Sequence, residues 1–194
     1  MKNRRTTTSG MDWGVMGSLS DKLLQDKLYR DYLLIFVGCY FGLRISDLLD
    51  LRYIDLIDKK EVIVIEQKTK KQRRITINPK VTDALNFVVD ELNKQDKFRP
   101  GAYIFANRWG GIISVSYVNK RLKYIFLKYD VHVQNASSHC LRKTFGKRVF
   151  DAAGDKSESA LIYLMEVFGH SSMNITKRYI GITDKQIENV YLNL

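Results

Sequence analysis

The sequence predicts a mixed α/β domain, predominantly α-helical with one small antiparallel β-sheet. Apolar residues at helical spacing recur along most of the chain, and two β-branched runs at residues 62–65 and 74–77 flank a polar segment. A length of 194 residues suits one core better than two. With 45% hydrophobic and 27% charged residues, the composition is that of a folded globular chain and excludes a disordered one.

Residues 1–18 are rich in Thr, Ser, Gly and charge without apolar periodicity, and are expected to form a flexible leader ahead of a domain over 19–194. Ser18 or Ser20 then caps a helix carrying Leu23, Leu24 and Leu28, which leads into the apolar run 32–43 and is interrupted at Gly42. That run falls short of the roughly 20 residues that span a bilayer, so it reads as a buried core helix. Ile45, Leu48 and Leu49 form the inward stripe of a short second helix.

The β-branched runs and the polar 67–73 segment between them read as a hairpin. Asn78-Pro79 starts a helix with Val81, Leu85, Val88, Val89 and Leu92 on one face. Ser114 precedes a stripe of Val118, Leu122, Ile125, Phe126 and Tyr129, and Ser137 or Ser138 precedes one of Leu141, Phe145 and Val149. Residues 158–168 carry Leu161, Leu164, Met165 and Phe168 before Gly169 stops the helix, and Ile187, Val190, Tyr191 and Leu194 make a last short stripe.

Lys and Arg number 32 against 21 Asp and Glu, a net charge of +11. Such an excess favours a polyanionic partner such as nucleic acid, with a solvated basic surface as the alternative. Cys39 and Cys140 are too few for a disulfide framework or a zinc site, which fits a reducing compartment. The basic start lacks the apolar stretch of an export signal, so a cytoplasmic protein without membrane association is expected.

Cleaving a phosphodiester without a metal takes a nucleophile, cations around the phosphate oxygens and an acid for the leaving alkoxide. The chain has no Gly-rich phosphate loop and no carboxylates at metal spacing. It has four short signals instead. Gly42-Leu43-Arg44-Ile45-Ser46-Asp47 puts an arginine at a helix start, placed to grip an anion, although taken alone such an arginine more often makes a structural pair, here with Asp47 three residues on. The segment from Gln67 to Arg74 holds five cations and no acid, which suits DNA backbone contact or a solvated hairpin edge. In Ser138-His139-Cys140-Leu141-Arg142-Lys143, His139 and Arg142 share a helix face, although an isolated histidine usually serves structure. Phe168-Gly169-His170 is followed nine residues later by Tyr179, a residue that helical spacing from Ile175 would otherwise assign to the core.

In this order the four signals resemble the catalytic domain of the tyrosine recombinase, or phage integrase, family. Arg44 matches its first arginine, Lys68 its hairpin lysine, His139 and Arg142 its His-x-x-Arg pair, His170 its second histidine and Tyr179 its nucleophile. Asp47 stands where the family often has Glu, and Phe168 where Leu is usual. The resemblance implies that Tyr179 attacks a DNA phosphorus to give a 3′-phosphotyrosine and a free 5′-hydroxyl, while Arg44 and Arg142 hold the non-bridging oxygens. Lys68 would protonate the 5′-oxygen, His139 would assist proton transfer, His170 would hydrogen-bond the phosphate, and Asp47 would support His139 or Arg44. Lys70, Lys71, Arg73, Arg74 and Lys143 would contact the DNA backbone.

No cofactor or metal is implied. Double-stranded DNA is the implied partner, with a tetrameric synapse and an accessory or core-binding domain, since the helical DNA-clamping domain usual in the family is expected to be absent from this sequence. A type IB topoisomerase-like enzyme and a non-catalytic DNA-binding relic are the competing readings.

Overall fold

The computed structural model describes residues 7–182. In chain order it contains α1 (Trp13–Gln25), α2 (Tyr29–Phe41), α3 (Ile45–Leu49), α4 (Tyr53–Leu56), β1 (Glu61–Ile65), β2 (Gln72–Thr76), α5 (Pro79–Asn93), α6 (Val115–Lys128), α7 (His139–Ala152), α8 (Ser157–Phe168) and α9 (Met173–Ile180). The predicted class, mostly helical with a small antiparallel sheet, is the one observed.

Helix α2 is apolar on nearly every face, and such a helix has to lie inside. Leu33, Leu34, Ile35, Val37, Cys39 and Phe41 are all buried, and α1, α5 and α7 pack around it. The Arg121 guanidinium donates twice to the buried Asp31 carboxylate, at 2.9 and 2.6 Å, and so ties α6 to the same helix. Gly42 ends α2 with φ of 56°, a left-handed conformation that costs glycine little, and a side chain there would strike the Phe145 ring. This turn sets the direction in which Arg44 leaves the core.

Several local predictions are corrected. Helix α1 begins at Trp13, ahead of Ser18 and Ser20, and Ser20 lies inside it with its hydroxyl donating to the Met16 carbonyl at 2.9 Å. The described residues just before α1 are held too: Ser9 N–H donates to the Gln134 carbonyl at 3.1 Å, and Met11, itself buried, donates its N–H to the Thr144 hydroxyl at 2.8 Å. Apolar periodicity does not register anchoring of that kind. The chain also breaks between α1 and α2, where Lys27 takes a φ of 56°.

Asn78 and Ser114 cap α5 and α6 as predicted, accepting from Lys80 N and Tyr117 N. Ser138 precedes α7 without a capping bond from its side chain; its N–H donates instead to the Asn119 carboxamide at 2.8 Å, joining α6 to the start of α7. The stripe predicted at Ile187 to Leu194 lies outside the described residues.

The hairpin pairs Val64 with Arg73 and Val62 with Ile75, so these four share the inner face. Strand β2 starts two residues earlier than predicted, because the Glu66 N–H to Lys71 carbonyl bond and Lys70 at φ of 58° close a tight turn.

A second, smaller core joins Leu161, Leu164, Phe168, Ile180 and Ile182, with Phe145 and Tyr179 packed on it. Gly146 of α7 lets these elements close: a Cβ there would sit 2.5 Å from Ile180 and 2.9 Å from Phe168. Replacing a helical glycine by alanine ordinarily stabilises by up to about 1 kcal/mol. Gly17, which has open space around it, should follow that rule, whereas Gly146→Ala should destabilise by about 1–3 kcal/mol through overpacking. Denaturant titration of both variants checks the opposite signs.

Candidate active site

The site forms where the α2–α3 corner, the hairpin, the start of α7 and the end of α8 meet. Arg44 occupies the N-cap position of α3 in an extended conformation, φ −65° and ψ 148°. Its side chain therefore does not run along the helix. One guanidinium nitrogen donates to Glu66 Oε2 at 2.6 Å and the other to the Phe168 carbonyl at 3.3 Å. Glu66, not Asp47, is its carboxylate partner.

Arg142, buried in the first turns of α7, donates to the Gly42 carbonyl and, at 3.4 Å, to that of Val167. The last carbonyls of α8 thus receive one amine from each arginine, at the end of a helix where cations are favoured. The Arg142 guanidinium also lies 4.4 Å from the centre of the Phe168 ring, a cation–π contact. Burial pushes its pKa down to about 10, Arg44 and Arg73 adding to the effect against the pull of Tyr179. It stays charged at neutral pH.

Glu66 offsets part of this charge. Burial alone would raise its carboxyl, but the Thr69 hydroxyl and the Arg44 guanidinium, each donating at 2.6 Å, outweigh burial and hold it below the ordinary carboxylate value. Asp47, also buried, accepts from Gln67 N–H at 2.9 Å and from Ser46 at 3.3 Å. It braces the hairpin rather than bonding His139 or Arg44.

Tyr179 packs edge to face on Phe168 and His170, and Phe168 and His170 are tilted against each other, with ring centres 5.1 to 5.5 Å apart. His170 Nδ1 lies 3.0 Å from the hydroxyl of Thr176, which is fully buried one turn before Tyr179. Burial, followed by the charges of Arg142 and Arg44, pushes the His170 pKa down. Burial raises the Tyr179 phenol above its ordinary value, and the same two guanidiniums oppose that rise.

His139 opens α7 with much of its surface exposed. Partial burial, then the charges of Lys143 and Arg142, lowers its pKa. Lys68 is exposed at the hairpin tip, two residues beyond Glu66. The structure therefore gathers Arg142, His170 and Tyr179 around the Phe168 ring, with Arg44 on the Phe168 carbonyl, while Lys68 stands at the exposed hairpin tip and His139 at the exposed start of α7.

Two of the cations expected to contact DNA turn inward. Lys143 is buried, its ammonium 5.1 Å from the centre of the Tyr179 ring, and Arg73 donates to the Phe41 carbonyl at 3.0 Å. Lys70, Lys71 and Arg74 remain on the outside. Sequence reasoning missed Glu66 and Thr176. The signal for Glu66 was its place just ahead of a turn with no other acid. Among the described residues, no group of three or more His, Cys, Asp or Glu is arranged to hold a metal ion, and no helix is long and apolar enough to cross a membrane.

The profile of the phage integrase family matches residues 18–186. The probable integrase/recombinase YoeC of Bacillus subtilis is 31% identical over 171 residues, 87% of this chain and 86% of that protein. The tyrosine recombinase XerC of Xanthomonas axonopodis is 27% identical over 84% of this chain but only 50% of its own length, so the chain spans about half of that longer relative. Among solved structures, XerH recombinase in a post-cleavage complex with its difH substrate superposes with a TM-score of 0.69 at 18% identity, over 94% of this chain and 52% of XerH. A match of this extent, on the fold that gathers two arginines against a tyrosine, means that the chain belongs to the phage integrase family of tyrosine recombinases.

Proposed function

We propose that this chain is the catalytic domain of a site-specific DNA recombinase, cleaving and rejoining duplex DNA through a 3′-phosphotyrosine. The observation that carries the reading is the pair of guanidiniums, Arg44 and Arg142, held by consecutive carbonyls of α8 beside the Tyr179 ring. Each guanidinium has five N–H donors and commits two to the protein bonds described above. The others suit the non-bridging oxygens of a phosphate, where planar forks bind in pairs.

In the proposed step the Tyr179 oxygen forms a bond to phosphorus as the bond from phosphorus to the 5′-oxygen breaks. The phenolic proton passes to His139, which is neutral at pH 7 because its pKa lies below the ordinary histidine value. Lys68 gives a proton to the leaving 5′-oxygen, and His170, oriented by Thr176, hydrogen-bonds a phosphate oxygen. Attack by a 5′-hydroxyl reverses the sequence and rejoins the strand. Exchange between duplexes needs several protomers on DNA, four in the expected synapse.

Tyr179→Phe should retain DNA binding and lose the covalent adduct trapped on a nicked duplex and resolved on a denaturing gel. An adduct that survives would transfer the nucleophile elsewhere, Tyr163 on the exposed face of α8 being one rival.

The acid limb of the cleavage rate should lie below the ordinary histidine pKa of about 6.5, since protonating His139 removes the base. Lys143→Met removes one of the charges that lower that pKa, so the limb should move up in pH. A limb that stays in place in single-turnover profiles would mean another group titrates.

Neutralising Lys70, Lys71 and Arg74 together should reduce the log–log salt slope of binding by about 0.9 for each DNA phosphate that these side chains neutralise. An unchanged slope would remove the hairpin from the DNA backbone.

A further inference from the structure

We propose that Arg73 is a positioning residue for Lys68, fixing the hairpin that carries the acid; this rests on the reading of Lys68 given above. The hairpin has two strands and, among the described residues, no third strand beside it, so backbone pairing alone does not fix its tip against the helices. Side chains do that. Just past the outgoing strand, Glu66 accepts from Arg44 and the Asp47 carboxylate accepts from Gln67 N–H. On the returning strand, Arg73 donates to the Phe41 carbonyl at 3.0 Å, and among the described residues no other hydrogen bond runs from β2 to a helix. Lys68 stands between these two anchorages, exposed at the tip.

The surroundings of Arg73 argue for position rather than packing. Its place opposite Val64, on the face shared with Val62 and Ile75, is one that valine or leucine would fill without electrostatic cost. An arginine there leaves its Nη1 buried without a hydrogen-bond acceptor, and the Asp47 Oδ2 oxygen is likewise buried without a donor. Attraction from Glu66 and Asp47 favours the charged guanidinium against burial and the repulsion of Arg44, which together lower its pKa. Phe41 is the last residue of α2, one step before the glycine whose carbonyl Arg142 holds and three before Arg44. Through Arg73 the acid-bearing hairpin is indexed to the same corner that presents both phosphate-binding arginines.

The test compares single-turnover cleavage of a nicked duplex with that of the same duplex carrying a 5′-bridging sulfur, whose thiolate departs without a proton. Lys68→Ala is the reference: slow on the oxygen substrate and restored on the sulfur one. Arg73→Gln should be about 10²-fold slow on oxygen, as a misplaced group can be, and within about threefold of the parent on sulfur. Adding it to Lys68→Ala should slow the oxygen reaction little further. Arg73→Lys keeps a donor for the Phe41 carbonyl, and should lie between Arg73→Gln and the parent on oxygen with the same recovery on sulfur; it serves if the glutamine variant does not fold by thermal melt. Equal losses on both substrates, or none on oxygen, would overturn the positioning role. Were Lys68→Ala itself not restored by sulfur, the acid assignment would fall and the inference with it; were Lys68→Ala restored and Arg73→Gln not, only the inference would fall.

Discussion

The structure around the site depends on keeping two like charges side by side in a half-enclosed place. Arg44 and Arg142 repel each other, and burial makes that repulsion stronger than it is in water. The fold answers with oriented carbonyls, those of Gly42 at the end of α2 and of Val167 and Phe168 at the end of α8, and with the Glu66 carboxylate. Helix ends concentrate unpaired carbonyls, so two helices stopping at this point are themselves part of the solution. Both stop at a left-handed glycine, Gly42 and Gly169, which ties the chemistry of the site to backbone conformation.

The proposed nucleophile is positioned by a different part of the molecule. Tyr179 packs on the small second core, between Phe168 and His170, while Arg44 projects from the large core around α2. Helix α7 belongs to both: Leu141 faces α2 and Gly146 touches Phe168 and Ile180. Arg142 comes from the stretch between them, and its guanidinium lies over the Phe168 ring. A change in how the small core sits on α7 therefore alters the placing of Tyr179 relative to Arg44.

Helices, hairpin and the two helix-stopping glycines are legible in the sequence because each leaves a local mark in apolar period or turn composition. The order of Arg44, Lys68, His139, Arg142, His170 and Tyr179 is legible as a resemblance. Partners set by tertiary geometry are not. An i,i+3 rule pairs Arg44 with Asp47, but Arg44 stands outside the helix in an extended conformation, where that rule has no force, and its side chain crosses to Glu66. Composition makes Arg73 a turn residue; because the turn closes early, strand period two places it on the inner face. Lys143 reads as a surface cation, yet the segment around Gly10 approaches the backbone of Lys143 and Thr144, where a Cβ would lie 3.1 Å from both, and that covering comes from residues 133 or more positions away.

The charge balance also indicates which state of a bound phosphodiester the site favours. Arg44, Arg142 and the inward Arg73 carry three positive charges against the carboxylates of Glu66 and Asp47, and Lys68 at the tip adds one more. A phosphodiester brings one negative charge, whereas attack by the Tyr179 oxygen as it gives up its proton builds a second on the non-bridging oxygens. Donors fixed in advance and surplus in charge are matched less by the resting phosphate than by that transient state, which is the difference that lowers a barrier. The raised pKa of the Tyr179 phenol fits this order of events. Before the phosphate arrives the ring stays neutral, so it adds no anion to engage the guanidiniums, and the second negative charge appears only as the bond to phosphorus forms.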